Sequence, residues 1–295
     1  MDELTTRTDD GRTLEVATLG DPSGATVVFH HGMPGSAYSF SMLSALATSG
    51  EFFLVTTSRA GYGLSERRRG RCVADVVSDT EAALDALGRE RYLSVGWSGG
   101  GPHALACAAL GAPRCAAAWS LAGVAPIDVD FEWTEGMGPE NVAEFERARI
   151  GGEAHEAAIA EIADAIAHAD GDTIIGLFGG LLSGVDKDAL ASEPARRAFA
   201  RAIRHGFARG DGGYFDDDHA LMRPWGFSVD DVAVPVEIWF GDDDLMVPPS
   251  HGRWLVANVP GARERYVAGE GHVSLIAQHL DDLAHSWREQ LATVS

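Results

Sequence analysis

At 295 residues the chain is long enough for two average domains, or for one large α/β domain that carries an insertion. Its formal charge of −21, from 23 basic and 44 acidic residues, argues against nucleic acid or an anionic membrane as the main partner and fits a solvated acidic surface. Cys72, Cys107 and Cys115 lack metal-ligand or disulfide-framework spacing; the start of the chain lacks an apolar signal segment, and no stretch approaches the ~20 apolar residues of a membrane helix. A cytoplasmic protein with no membrane partner is the expectation.

Leu4 to Thr8 and Thr13 to Leu19 read as short strands around the turn Asp9-Asp10-Gly11-Arg12. Thr26 to His30 is a buried strand, followed by the loop His31-Gly32-Met33-Pro34-Gly35-Ser36 and a helix from about Ala37 to Thr48. A strand at Phe52 to Thr57 leads through a glycine-rich loop to the basic run Arg67-Arg68-Arg69-Gly70-Arg71, read as solvated or paired with acidic neighbours. A helix from Asp75 to Leu87 shows one apolar face. Tyr92 to Val95 then runs as a strand into Gly96-Trp97-Ser98-Gly99-Gly100, and an alanine-rich helix follows from Pro102 to Leu110. Strand, sharp turn and helix with a serine at the apex form a nucleophile elbow, G-x-S-x-G. The glycines admit the close approach of strand and helix, and the helix start offers free N–H groups beside the serine.

Cys115 to Leu121 is a further apolar strand. From Pro126 to about Ser228 no convincing buried strand appears. Helical patterns cover Glu140 to Ile150, Glu153 to Ala169 and Pro194 to Phe207, separated by glycine clusters. Alternation resumes with a strand at Val234 to Phe240, a helix near Ser250 to Asn258, a strand around Glu264 to Val267 and a last helix from Val273 to Leu291. The expectation is a mainly parallel sheet flanked by helices, with a core of residues 1–125 and 229–295 and a helical lid of residues 126–228. The apolar segments Ile174-Ile175-Gly176-Leu177-Phe178 and Leu181-Leu182 would wall an enclosed, largely apolar pocket.

Four motifs, each at a strand's carboxyl end, resemble the α/β-hydrolase fold superfamily: His31-Gly32-Met33-Pro34-Gly35, Gly96-Trp97-Ser98-Gly99-Gly100, Gly241-Asp242-Asp243-Asp244-Leu245-Met246-Val247-Pro248, and Gly269-Glu270-Gly271-His272. The resemblance runs from the first hairpin to the final helix and is weakest in the lid. It implies the order nucleophile, acid, base, which Ser98, Asp244 and His272 fit. Asp242 and Asp243 are rivals for the acid, with Asp128 and Asp130 a weaker location. Among eleven histidines, His30 and His31 belong to the loop that shapes an oxyanion hole, His103 to the elbow helix, and His251, His279 and His285 to surface or helix faces. The resemblance places the oxyanion donors at the backbone N–H groups of Met33 and Gly99. Trp97 and Trp225 are candidate substrate-facing residues, Trp225 alternatively filling the seam where lid returns to core.

The implied activity is that of a carboxylesterase-like serine hydrolase acting on a small to medium, largely uncharged acyl substrate. It needs no metal and no organic cofactor, and acts as a monomer or homodimer. The same triad also serves lactonases, peptidases, C–C bond hydrolases, acyltransferases and perhydrolases, and a poorly catalytic ligand-sensing homologue stays open. Epoxide hydrolases and haloalkane dehalogenases of the fold normally carry aspartate at the apex, where this chain has Ser98.

Overall fold

The computed structural model describes residues 1–294; Ser295, the end of the expected core, lies outside them. Eight strands form one sheet: β1 (Asp2–Arg7), β2 (Thr13–Gly20), β3 (Ala25–His30), β4 (Phe52–Thr57), β5 (Tyr92–Trp97), β6 (Cys115–Leu121), β7 (Val236–Gly241) and β8 (Arg263–Val267). Their spatial order is β1-β2-β4-β3-β5-β6-β7-β8. β2 pairs antiparallel with β1 and β4, and every other pairing is parallel. The four strands β4 to β7 are buried along their whole length, which is why they read as continuous apolar runs, whereas β1 at the edge alternates exposed and half-buried residues.

The helices are α1 (Ser44–Ala47), α2 (Val76–Ala86), α3 (Gly101–Leu110), α4 (Pro139–Ile150), α5 (Glu153–His168), α6 (Gly171–Leu177), α7 (Gly184–Ala189), α8 (Glu193–Gly206), α9 (Gly212–Leu221), α10 (Pro249–Asn258), α11 (Ser274–Ala277) and α12 (Leu280–Val294). α2 packs against α3 and α1 against α12. Trp287 of α12 meets Phe52 and Trp119 edge-on, with ring centroids 5.0 and 6.3 Å apart. Among the described residues, six α-helices, a short 3-10 turn at Val229–Asp231 and no strand lie between β6 and β7.

Three differences from the sequence reading are physical. The expected helix from Ala37 starts as a 3-10 segment, Ala37–Leu43, before the single turn of α1. The expected last helix breaks between α11 and α12, where His279 is shared by Glu270 (3.2 Å) and Asp282 (3.0 Å). α6, α7 and α9, not among the expected helices, begin at Gly171, Gly184 and Gly212, where no i−4 hydrogen bond is needed from the glycine; of these, Gly212 lies in a cluster read as a separator.

The six-helix segment is held to the sheet by buried charge. Asp217 on α9 receives Arg59 at 2.5 Å and Arg71 at 2.6 Å, and all three side chains are at most 4% exposed. Asp216 beside it pairs with Arg67 at 2.7 Å. The basic run is therefore paired at Arg67, Arg68 and Arg71, and Arg71 is buried. On the other side, Glu15 of β2 accepts the Ser58 hydroxyl (2.6 Å) and pairs with His205 of α8 (2.8 Å). The Ser36 hydroxyl donates to the Ala202 carbonyl of the same helix at 2.7 Å.

Candidate active site

At the end of β5 the backbone of Ser98 turns left-handed, with φ of 58°, one of two non-glycine residues to do so among the described residues. Such a conformation costs of order 1–3 kcal/mol and is held by its surroundings. Those surroundings require glycine: a Cβ on Gly96 would lie 2.0 Å from the Gly100 carbonyl oxygen, and one on Gly100 would lie 2.1 Å from that of His30. The chain then passes through one 3-10 turn, Ser98–Gly100, into α3, leaving the serine half-buried at the helix start.

The turn after β7 brings in the carboxylate. Asp244 Oδ1 accepts the N–H groups of Met246 and Val247, both at 2.8 Å, which leaves Oδ2 to accept Nδ1–H of His272 at 2.8 Å. With Nδ1 carrying the proton, Nε2 of His272 is free to accept one. Burial pushes the His272 imidazolium down, but the Asp244 charge and hydrogen bond, with the Asp186 charge behind them, outweigh it and raise the group above its ordinary 6.5. The rival acids stand elsewhere. Asp242 is exposed and accepts Tyr266 Oη–H (2.8 Å) and Gly269 N–H (2.6 Å); Asp243, Asp128 and Asp130 are exposed.

The loop after β3 lies across the elbow. A Cβ on Gly32 would be 3.2 Å from Ser98 Cβ, and one on Gly99 would be 3.1 Å from Met33 Cβ and 3.8 Å from Met33 N. Met33 and Gly99 thus sit side by side next to the serine. Arg59 braces this loop: its guanidinium donates to the His31 carbonyl and, at 3.1 Å, to that of Gly32. The Arg59 N–H donates to His31 Nε2 at 3.1 Å, so Nδ1–H of His31 donates to the Gly32 carbonyl at 2.7 Å. Burial first, then the Arg59 charge, pushes His30 down to about 3 and His31 well below the ordinary range, so neither ring is a proton carrier at neutral pH.

Two cavities meet at Ser98 and share Met33, Pro34, Phe178 and Met246 as walls. One, of about 460 Å³, is faced by Trp97 and His272 and closed by apolar residues of α8, among them Ala198 and Ile203. The other, of about 550 Å³, is faced by Gly99 and by residues of α4, α5 and α6. Its wall includes Glu140, Glu144, Arg147 and Glu161 beside Leu177 and Leu181, so the pocket is apolar on one side and partly charged on the other. Burial raises the Glu144 carboxyl well above the usual range, with the Asp218 charge adding to it, and Tyr214 Oη–H donates to Glu144 at 2.6 Å.

A family model described as the alpha/beta hydrolase fold matches residues 25–147. Among solved structures, an esterase from Rhodococcus sp. ECU1013 superposes with a TM-score of 0.70 at 19% identity, covering 100% of both chains. An enol-lactonase from Burkholderia xenovorans LB400 gives 0.67 at 22% identity, covering 98% of this chain and 100% of that one. The chain has the α/β-hydrolase fold. Among curated proteins, epoxide hydrolase B of Mycobacterium tuberculosis is 36% identical over 115 residues. That match spans 38% of this chain and 30% of the relative, so the chain covers less than a third of the relative's length.

The remaining sequence candidates on this fold separate cleanly. Trp97 faces the first cavity, and its Nε1–H donates to the His272 carbonyl at 3.0 Å with the two rings 5.1 Å apart. Trp225 lines neither cavity; it is 3% exposed and stacks near Phe227, filling the seam between segments. His251 is no surface residue: it is fully buried, accepts Ala125 N–H at 3.1 Å and donates to the Trp133 carbonyl at 2.9 Å. Of the expected apolar wall, Leu177, Phe178 and Leu181 line the cavities, while Ile174 joins Ile166, Ala200 and Ile203 in a small separate core. Sequence reasoning missed Asp186, whose only signal was the capping box Ser183-x-x-Asp186. Among the described residues no group of His, Cys, Asp or Glu is arranged to hold a metal, and no helix is long and apolar enough to cross a membrane.

Proposed function

We propose that this protein is a serine hydrolase that cleaves an ester or related acyl bond through a Ser98 acyl-enzyme. The observation that carries the reading is the Asp244–His272 hydrogen bond of 2.8 Å, directed so that His272 Nε2 is open toward the cavity it shares with Ser98. Ser98 Oγ attacks the carbonyl while His272 Nε2 takes its proton and Asp244 steadies the imidazolium. The N–H groups of Met33 and Gly99 receive the oxyanion, each worth about 3–4 kcal/mol in comparable sites. His272 returns the proton to the leaving group and then activates the water that frees the acid.

His272 must reach the leaving group, so the cavity it faces takes the alcohol half, and the cavity faced by Gly99 takes the acyl half. Residues 126–228 act in this reading as the cap that roofs both. The neighbours named as an esterase and an enol-lactonase are in keeping with acyl chemistry. The partial match to an epoxide hydrolase is not extended to epoxide opening, because a serine attacking an epoxide forms an alkyl ether that an activated water does not release.

Turnover of p-nitrophenyl esters tests the reading. Ser98→Ala and His272→Ala are each expected to lose about 10³-fold or more in kcat, and the double variant to be little worse than either. Wild-type turnover in folded Ser98→Ala would overturn it.

A further inference from the structure

Asp186 is fully buried on α7, inside the segment between β6 and β7, yet it holds the loop that carries His272. Its Oδ1 accepts the N–H groups of Val273 (2.7 Å) and Ser274 (2.9 Å). Its Oδ2 accepts the N–H of His272 itself (3.1 Å) and the Ser183 hydroxyl (3.0 Å). Three of these four contacts are backbone N–H groups, which can only donate, so both oxygens serve as acceptors and the Ser183 hydroxyl completes the set. Among the described residues no arginine, lysine or histidine pairs with it. The approach is close enough to require glycine at 271, where a Cβ would lie 2.5 Å from Asp186 Oδ2.

A buried carboxylate without a cationic partner is costly, and the four donors aimed at its two oxygens offset that cost. The charge also sets a second anion beside the loop that carries the base. The charged groups facing His272 are Asp244, from the turn after β7, and Asp186, from α7. We propose that Asp186 is a positioning residue for the base, through which the inserted segment fixes the backbone of His272 and brings a second carboxylate to its loop. This rests on the reading of His272 as the general base.

The test compares Asp186→Asn and Asp186→Glu with the wild type by ester kinetics and by NMR titration of His272 in histidine-labelled protein. Asp186→Asn keeps the side-chain length, removes the charge and sets an NH2 donor against the N–H groups of the His272 loop, which displaces that loop slightly. Its kcat is expected to fall about 10- to 100-fold with KM within about threefold, since a small misplacement of a reacting group costs that much. The His272 titration and the acid limb of kcat are both expected to move to lower pH. Asp186→Glu keeps the charge but displaces it by one methylene, so kcat should fall while the titration stays near wild type. Unchanged kcat and an unchanged His272 titration in folded Asp186→Asn would overturn the proposal. If Asp186→Asn does not fold, wild-type kcat in Asp186→Glu would overturn it instead. A wild-type protein inert toward all esters would count against the hydrolase reading, and the titration would still decide the role of Asp186 because it needs no substrate.

Discussion

His272 sits between two opposing influences, and their balance sets the pH at which the site works. Burial disfavours the imidazolium, while Asp244 at 2.8 Å and Asp186 favour it and prevail, so the group titrates above 6.5. In the proposed role of general base His272 must be neutral to act, so kcat/KM is expected to rise with pH through a value above 6.5 and to be lost as pH falls through it. The stability linkage has the opposite sense: a raised folded value contributes stability below the unfolded value and loses it as pH rises through the folded one. A pH–rate profile whose acid limb is centred below 6.5 would contradict this balance. Asp244→Asn removes the nearer carboxylate and disturbs the Nδ1–H tautomer. It is expected to lower kcat by about 10⁴-fold and to move the limb down, whereas Asp243→Asn, at an exposed position, should leave both unchanged.

The elements that carry the site were legible because each has a short-range cause. β4 and β6 run over the residues their apolar pattern marks, and the glycine spacing around Ser98 follows from contacts within the elbow and with the neighbouring loop. What stayed hidden depends on partners far along the chain. Arg59 and Arg71 meet Asp217 across some 150 positions, His251 is buried by a segment more than a hundred residues earlier, and α7 reaches His272 from position 186. No local pattern registers such pairings. α9 was missed for the same reason: its run of three aspartates looks solvated, yet all three are buried. Asp217 is the keystone of that interface, with two buried guanidinium groups on one carboxylate. Asp217→Ala is expected to cost about 3–5 kcal/mol, because it leaves both charges buried without their partner. Denaturant unfolding checks this, and a loss below about 1 kcal/mol, the scale of a surface pair, would show that the network relaxes into solvent.

Over the whole molecule, sheet and inserted helices together divide the space above Ser98 into two cavities with different walls. Ala198 of α8 lines only the cavity faced by His272, and Leu177 and Leu181 line only the one faced by Gly99. Filling the first with Ala198→Phe is expected to raise KM for esters of bulky alcohols while leaving the acyl-length preference alone. Leu181→Ala should extend the acyl chain accepted and leave the alcohol preference alone. A grid of esters varied in both halves separates these outcomes, and exchanged effects would reverse the assignment of the two cavities. The claim beneath all of this is that Ser98 becomes covalently acylated. Intact-mass and peptide mapping after treatment with a fluorophosphonate tests it most directly. The expected result is one adduct per chain, located on Ser98, formed by the wild type and suppressed in folded His272→Ala. A folded wild-type protein that stays unmodified, or carries the adduct on another residue, would contradict it.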